Sequence, residues 1–209
     1  MASLEYNILE KVFEKKGYIF HNVGRFQLNI FGVRTKNKVA DSFDDWIGVA
    51  YINEKNESVC EAFKATTDAG TYWLKNPMKK NGTALLVPNQ YLRAYRFGYH
   101  RGQYLALLQV KEMKVYRDNN KNQILDYNQA TIEEGLFGIN IHRTNPLAFA
   151  KNVYKWSAGC QVFQRVNDFP VLDIYFMSIF LFSKTNLKNV EKSVCDHNGK
   201  NTYFFILKL

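Results

Sequence analysis

The spacing of apolar side chains predicts one helix near the start of the chain and strands over most of the remainder. Leu4, Ile8, Leu9 and Val12 stand at helical spacing, and the pattern ends at Gly17. This predicts a helix over residues 4–16. Short apolar or alternating runs bounded by turn residues then predict strands. These runs are YIFHNV, RFQLNIFGV, WIGVAYIN, SVCEAFKAT, GTALLVP, QYLALLQVKEMKVYRD, GLFGINIH and TYFFILKL. A turn over residues 53–56 joins the third and fourth runs as a hairpin.

One long apolar run near the C-terminus fits either a helix or a buried strand. It reads DFPVLDIYFMSIFLFSK, and its length and the N-cap residue Asp168 favour a helix over about residues 168–183. Earlier in the chain, TTDAGTYWL predicts a capped turn or a short helix. No repeat, low-complexity segment or flexible linker interrupts the 209 residues, so a single domain over 1–209 is expected. The predicted fold class is mostly β (α+β), with two or three flanking helices.

Composition and charge narrow the range of partners without identifying one. Hydrophobic residues make up 46% of the chain, and 16 Phe, 13 Tyr and 3 Trp supply a core and favour strands. The formal net charge of +9 favours anionic partners such as nucleic acid, an anionic cell-wall polymer or a phospholipid surface. The basic residues are scattered, however, which is typical of a solvated surface. A specific nucleic-acid site is therefore not predicted.

The cysteines and the apolar runs bear on metals, disulfides and location. Cys60, Cys160 and Cys195 have no regular spacing, which argues against a disulfide framework and a CxxC metal site and leaves one Cys60–Cys195 bridge as the alternative. The N-terminal segment is charged and unlike a signal peptide. The most apolar run, 171–182, is too short to cross a bilayer. We expect a protein made in the cytoplasm, with no transmembrane segment, no metal and no cofactor, and the oligomeric state stays open.

The segment GINIHRTNPLAFAKNVYKWSAGCQVFQ contains the residue types that a nucleophilic cysteine requires. The thiolate is the nucleophile, so a catalytic Cys needs a lowered pKa or a neighbouring base. His142 ends an apolar strand that can aim its imidazole. Cys160 follows Gly159, which permits a tight bend whose backbone N–H groups can form an oxyanion hole. The opposing interpretation is that Cys160 is a small buried hydrophobe and His142 a core histidine.

These residues resemble the catalytic motif of the L,D-transpeptidase (YkuD-type) family. That motif is a His, a spacer, and then Ser or Thr, His, Gly and Cys. Here 14 residues separate His142 from Ser157, and Ala158, Gly159 and Cys160 follow. The resemblance implies an L,D-transpeptidase-like β-sandwich. More loosely, the whole chain resembles phage proteins of Bacteroidetes-type hosts.

The resemblance implies a role for each matching position. Cys160 would be the nucleophile and His142 its base, with the backbone carbonyl of Arg143 orienting the imidazole. Ser157 would support the loop before the nucleophile. The oxyanion would be held by the N–H groups of three consecutive residues, Ala158, Gly159 and Cys160.

Departures from the motif affect the positions that would contact substrate. Ala158 stands where the family has His, Arg143 where Gly is usual, and Gln161 where an apolar residue is expected. Gln161, Trp156 and His100 are the candidates for substrate binding. Trp156 fits core packing equally well. His100 lies between two glycines and also fits an ordinary turn.

The resemblance implies a cysteine-dependent enzyme acting on the stem peptides of bacterial peptidoglycan. The thiol would attack the carbonyl of an L-centre next to a D-residue, and an acyl-enzyme would form. An amine acceptor would then give cross-linking, and water would give hydrolysis. The site of action would be the bacterial cell wall, with the protein acting as a phage lysis protein or virion component. One alternative is a non-enzymatic virion or wall-binding protein that kept the fold. The other, a nucleic-acid-binding protein, rests on charge alone.

Overall fold

Strands make up most of the fold in the described residues, and two helices lie beside them there. The computed structural model describes residues 5–144 and 149–169, and the backbone of residues 202–208. The helices are α1 (Tyr6–Lys15) and α2 (Thr71–Lys75). The strands of these residues are β1 (Leu28–Arg34), β2 (Asp45–Ile52), β3 (Ser58–Thr66), β4 (Thr83–Leu86), β5 (Gln90–Leu92), β6 (Tyr95–His100), β7 (Tyr104–Gln109), β8 (Met113–Asp118), β9 (Glu133–Gly135), β10 (Ile141–Arg143), β11 (Gln161–Phe163) and β12 (Thr202–Lys208). Short 3-10 turns occupy Gln129–Thr131 and Val166–Asp168.

The N-terminal helix forms where the apolar spacing predicts it. Leu9 and Phe13 on its inner face are buried and pack with Phe31 of β1 and Ala50 of β2. The helix ends before Gly17, whose φ of +67° suits glycine at that position. None of the helices in the described residues is long and apolar enough to cross a bilayer.

The larger sheet has nine strands in the order β5-β12-β1-β2-β3-β11-β10-β7-β6. Its centre is the β2–β3 hairpin, which pairs over the full length of β2 and confirms the predicted hairpin. The N–H of Asn53 donates to the carbonyl of Glu57 and closes the turn. The smaller sheet is β4-β8-β9.

The larger sheet is curled, and the strands at its two ends are consecutive in the chain. Strands β5 and β6 lie at opposite ends of the sheet order, yet only Arg93 and Ala94 separate them along the chain. The smaller sheet packs against the inside of this curl. One core cluster contains Ile47 of β2, Leu107 of β7 and Val115 of β8. The described part of the chain is therefore mostly β with a curled sheet and two helices, consistent with an α+β or β-sandwich class.

The first predicted strand, YIFHNV, is not a strand. Side-chain amides take the place of a neighbouring strand along this segment. Gln90 bonds both the N–H and the carbonyl of Ile19, at 3.1 and 2.8 Å. Asn29 does the same for His21, with both distances 2.8 Å. The backbone groups are satisfied without a ladder.

The C-terminal part of the chain can be compared with the prediction only in part. The predicted strand in TYFFILKL is confirmed as β12, which pairs in parallel with β1. Residues Val166–Asp168 form a 3-10 turn, and residues 170–183 of the helix predicted over 168–183 lie outside the described residues.

Candidate active site

Parallel pairing of β10 with β11 brings His142 and Cys160 to one pocket. Ile141 pairs with Gln161 and His142 with Val162, so Cys160 lies one residue before the start of β11. Because side chains alternate along a strand and paired positions share a face, Cys160 and His142 emerge on the same side. Both line a pocket of about 580 Å³.

The imidazole of His142 is held by its neighbour's backbone and by a tyrosine. Its Nδ1 lies 3.0 Å from the carbonyl oxygen of Arg143 and 3.1 Å from the hydroxyl of Tyr104. The tyrosine hydroxyl also donates to the same carbonyl, at 3.2 Å. A carbonyl oxygen only accepts, so these partners assign the hydrogen to Nδ1 and leave Nε2 with a lone pair. The structure thus places the Arg143 carbonyl where an orienting group for His142 would stand.

The Cys160 thiol is held by the segment that leads into β10. Its Sγ donates to the carbonyl of Gly138 at 3.4 Å. Burial raises the pKa of this thiol, while the N–H of Asn140 and the guanidinium of Arg101 oppose the rise. At neutral pH the thiol is therefore protonated in the free protein.

The imidazole of His142 is neutral as well. His142 is 3% exposed, and burial, followed by the effect of His100, lowers its pKa to about 3. The resting site is a neutral thiol beside a neutral imidazole and not a thiolate–imidazolium pair. Such a pair of groups can act only if the proton leaves the sulfur as the sulfur attacks.

Alkylation of Cys160 in the free protein is expected to be slow at pH 7. Because burial raises the thiol pKa, the rate should climb about tenfold per pH unit to beyond about pH 9. Iodoacetamide rates between about pH 6 and about pH 10, read by peptide mapping, measure this. Cys60, whose pKa burial raises to about 11, is the internal reference. A rate that is already constant below pH 7 would contradict the neutral pair.

Ser157 organises the bend before Cys160. Its Oγ accepts from the N–H of Gly159 at 3.1 Å and donates to the carbonyl of Cys160 at 2.7 Å. Its own carbonyl accepts from the N–H of Gly70 at 2.9 Å. These contacts give Ser157 the position of a loop support. They also differ from the expected oxyanion hole, because the Gly159 N–H donates to Ser157 and not into the pocket. No described residue accepts a hydrogen bond from the N–H of Ala158 or Cys160.

Gly159→Ala is expected to lower the free energy of unfolding by about 3 kcal/mol and to reduce any activity of Cys160. The φ of Gly159 is +118°, which L side chains rarely adopt, and an added Cβ would overlap the carbonyl oxygen of Ala84. Urea denaturation measures the loss. Gly17→Ala is the matched control, since its φ is +67° and no atom lies within 4 Å of the added Cβ. That control should lose only about 1 kcal/mol, and equal losses at the two positions would contradict the steric argument.

The structure separates the three candidates for substrate binding. Trp156, 38% exposed, lines the pocket, and so does His100, whose ring stacks on His142 with centroids 4.2 Å apart. Gln161 does not. It is fully buried on the opposite face of β11, and its amide donates to the carbonyls of Thr67 and Gly159 at 3.3 and 3.2 Å. Strand alternation one residue after Cys160 is the reason, so Gln161 stands outside the pocket and braces the loop.

The pocket also contains residues that the sequence did not single out. Tyr104 contacts His142 from β7, and Asn140 contacts His100. The cationic side chains that line the pocket are Lys79, Arg101, Arg117 and Lys155. Arg117 is bound to Glu133 at 2.8 Å. Within the described residues no Asp or Glu lines the pocket, so its electrostatic field favours an anionic ligand. Only the strand order, which local patterns do not report, could have revealed these neighbours.

No group of three or more His, Cys, Asp or Glu side chains in the described residues is arranged to hold a metal ion. Among known proteins, no family model, no curated protein and no solved structure matches the chain.

Proposed function

We propose that the protein is a cysteine-dependent acyl-transfer enzyme of the L,D-transpeptidase type, acting on peptidoglycan stem peptides. The observation that carries the proposal is the placement of Cys160 and His142 on one face of the β10–β11 pair. Both side chains open to the same pocket. The Arg143 carbonyl accepts the hydrogen on Nδ1 of His142, which leaves the lone pair of the ring on Nε2. A nucleophile, a base and a group that orients the base are the parts that covalent catalysis requires.

The chemistry follows from these positions. As the Cys160 sulfur bonds to the carbonyl carbon of the L-centre, its proton passes to Nε2 of His142. The carbonyl oxygen becomes an oxyanion. When the carbon–nitrogen bond to the D-residue breaks, His142 returns the proton to the leaving amine and a thioester remains. Attack on the thioester by an amine gives a new cross-link, and attack by water gives hydrolysis.

The charge of the pocket supports the same substrate class. Stem peptides carry carboxylates, and the side chains of Lys79, Arg101 and Lys155 line the pocket, where no described Asp or Glu accompanies them. A bound carboxylate would meet complementary charge there. On this proposal the protein acts at the bacterial cell wall, as a phage lysis or virion enzyme would, and hydrolysis is the outcome that such a role favours.

Mass spectrometry of purified muropeptides after incubation with the wild-type protein tests the proposal. New masses identify the bond that is cut or made and the fate of the acyl group. Unchanged muropeptides, in the presence and in the absence of an added amine acceptor, would contradict the enzyme proposal.

One observation favours a second function, a wall-binding module without turnover. The neutral thiol and an imidazole with a pKa near 3 are a weak pair in the absence of a ligand. A protein of this second kind would sediment with peptidoglycan and leave its muropeptides intact.

A further inference from the structure

Two histidines from different parts of the sheet share the pocket with Cys160. The rings of His100, at the end of β6, and His142, in β10, stack with centroids 4.2 Å apart and planes 22° apart. Both rings line the pocket. Burial lowers the pKa of His100, and the guanidinium of Arg101 adds to this, so both rings are neutral near pH 7. Each ring therefore has one N–H donor and one acceptor nitrogen.

The hydrogen bonds of Asn140 decide which nitrogen of His100 carries the hydrogen. The backbone N–H of Gln109 donates to Oδ1 of Asn140 at 3.0 Å, which fixes the orientation of the amide. The amide nitrogen Nδ2, a donor, then lies 3.2 Å from Nδ1 of His100. Nδ1 of His100 is therefore the acceptor, and the hydrogen of the ring is on Nε2.

His142 has the opposite arrangement. Its Nδ1 carries the hydrogen, because the Arg143 carbonyl lies 3.0 Å away. In the described residues neither Nε2 atom has a hydrogen-bond partner. Nε2 of His142 therefore has a lone pair available in the pocket, and Nε2 of His100 has an N–H available there.

We propose that His100 is a second catalytic residue, whose Nε2–H donates a hydrogen bond to the oxyanion that forms when Cys160 attacks. The proposal rests on the proposed function. It replaces the expected donor that the loop does not offer, since the N–H of Gly159 is taken by Ser157. No proton changes place at His100, because a neutral imidazole donates and keeps its hydrogen. His142 alone transfers the proton of the thiol.

Asn140 is, on the same reasoning, a positioning residue. Asn140→Asp keeps the shape and still accepts from the Gln109 N–H, but it presents an oxygen acceptor to Nδ1 of His100. The hydrogen of His100 would then move to Nδ1 and leave Nε2 without a donor. The substitution tests the tautomer without changing either histidine.

Nitrogen-15 NMR of the imidazoles measures the tautomers directly. The chain has 4 histidines, and His100→Gln and His142→Gln assign the two signals of interest. We expect a protonated Nε2 on His100 and a protonated Nδ1 on His142 in the wild type, and a protonated Nδ1 on His100 in Asn140→Asp. A wild-type His100 protonated on Nδ1 would overturn the proposal, whatever the activity.

Kinetics on a purified stem peptide with the L-centre to D-residue bond test the role. His100→Phe keeps a flat ring against His142 and removes the donor. It should lower kcat about 100-fold, as loss of one oxyanion donor does, with KM changed less than about threefold. His100→Gln, which restores an N–H, should recover part of the loss. His21→Phe, at a half-buried histidine that does not line the pocket, is the control and should match the wild type.

The outcomes separate this proposal from the proposed function. A wild type that turns over stem peptide, together with a His100→Phe variant of equal kcat, would overturn the role of His100 alone. A wild type without turnover would overturn the proposed function and the catalytic role of His100 with it.

Discussion

Cys160→Ser is expected to abolish turnover of stem peptides, with a fall in kcat of about 10³-fold or more. The serine hydroxyl can keep the hydrogen bond that the thiol makes to the Gly138 carbonyl, so the pocket keeps its shape. A hydroxyl is a far weaker nucleophile than a thiol unless a base matched to its higher pKa is present. His142, with a pKa near 3, is not such a base. Mass spectrometry should show muropeptide products and a thioester adduct for the wild type and neither for the variant.

Cys60→Ser is the matched control for that substitution. Cys60 lies in β3, is half-buried and packs beside the cluster formed by α1 and β1, away from the pocket. Its replacement should leave turnover unchanged. Sedimentation with peptidoglycan completes the comparison, because Cys160→Ser should still bind the wall. Turnover that survives in Cys160→Ser would rule out the thiol as nucleophile. Wall binding without turnover in the wild type would favour the binding module.

Local patterns were sufficient for the elements whose partners are close in sequence. The β2–β3 hairpin follows from two alternating runs and a turn, and α1 from one apolar face. They were insufficient for YIFHNV, whose backbone is satisfied by the side chains of Gln90 and Asn29, one of them 71 residues away. The six residues themselves contain no signal that a distant side-chain amide will make the hydrogen bonds of a neighbouring strand.

The residues of the candidate site likewise fall into those that are close in sequence and those that the sheet brings together. The spacing around Cys160 pointed to His142 and Ser157, since all three lie in one segment and the motif records their order. His100 and Tyr104 reach the site only because β7 lies next to β10 in the curled sheet and β6 lies next to β7. Gln161 was misplaced because a motif specifies neighbours in sequence, while strand alternation sends the next side chain to the other face.

The hydrogen bonds that support the Cys160 loop extend to a buried arginine that the sequence patterns did not indicate. Arg34, at the end of β1, is 1% exposed. Its guanidinium donates to the hydroxyl and carbonyl of Thr67, at 2.9 and 2.7 Å, and to the carbonyl of Leu86 at 2.8 Å. It also pairs with Asp68 at 3.0 Å. Because Gln161 donates to the same Thr67 carbonyl, the network reaches the residue next to Cys160.

Arg34→Met should therefore produce the largest loss of stability, about 3–5 kcal/mol. The methionine can fill the space, but it removes the cation beside the carboxyl of Asp68 and the guanidinium donors to the carbonyls of Thr67 and Leu86. Burial already raises the pKa of Asp68 to about 7 against the opposing effect of Arg34. Without that cation the pKa rises further above the unfolded value. The folded variant then favours the protonated carboxyl, whereas the unfolded chain ionises it. The free energy of unfolding of the variant should therefore fall as pH rises from about 5 to about 8.

Urea denaturation at several pH values measures both the loss and its pH dependence, and two further variants separate the causes. Arg96→Met changes an exposed arginine of β6 and should stay within about 0.5 kcal/mol of the wild type. The double variant Arg34→Met with Asp68→Leu removes the unpaired carboxyl as well. It should recover part of the stability and lose the fall between about pH 5 and about pH 8, because replacing both partners of a buried pair costs less than removing one. If Arg34→Met unfolds like Arg96→Met at every pH, the arginine does not hold β1, β3 and β4 together. The bracing of the Cys160 loop through Thr67 and Gln161 would then lose its anchor.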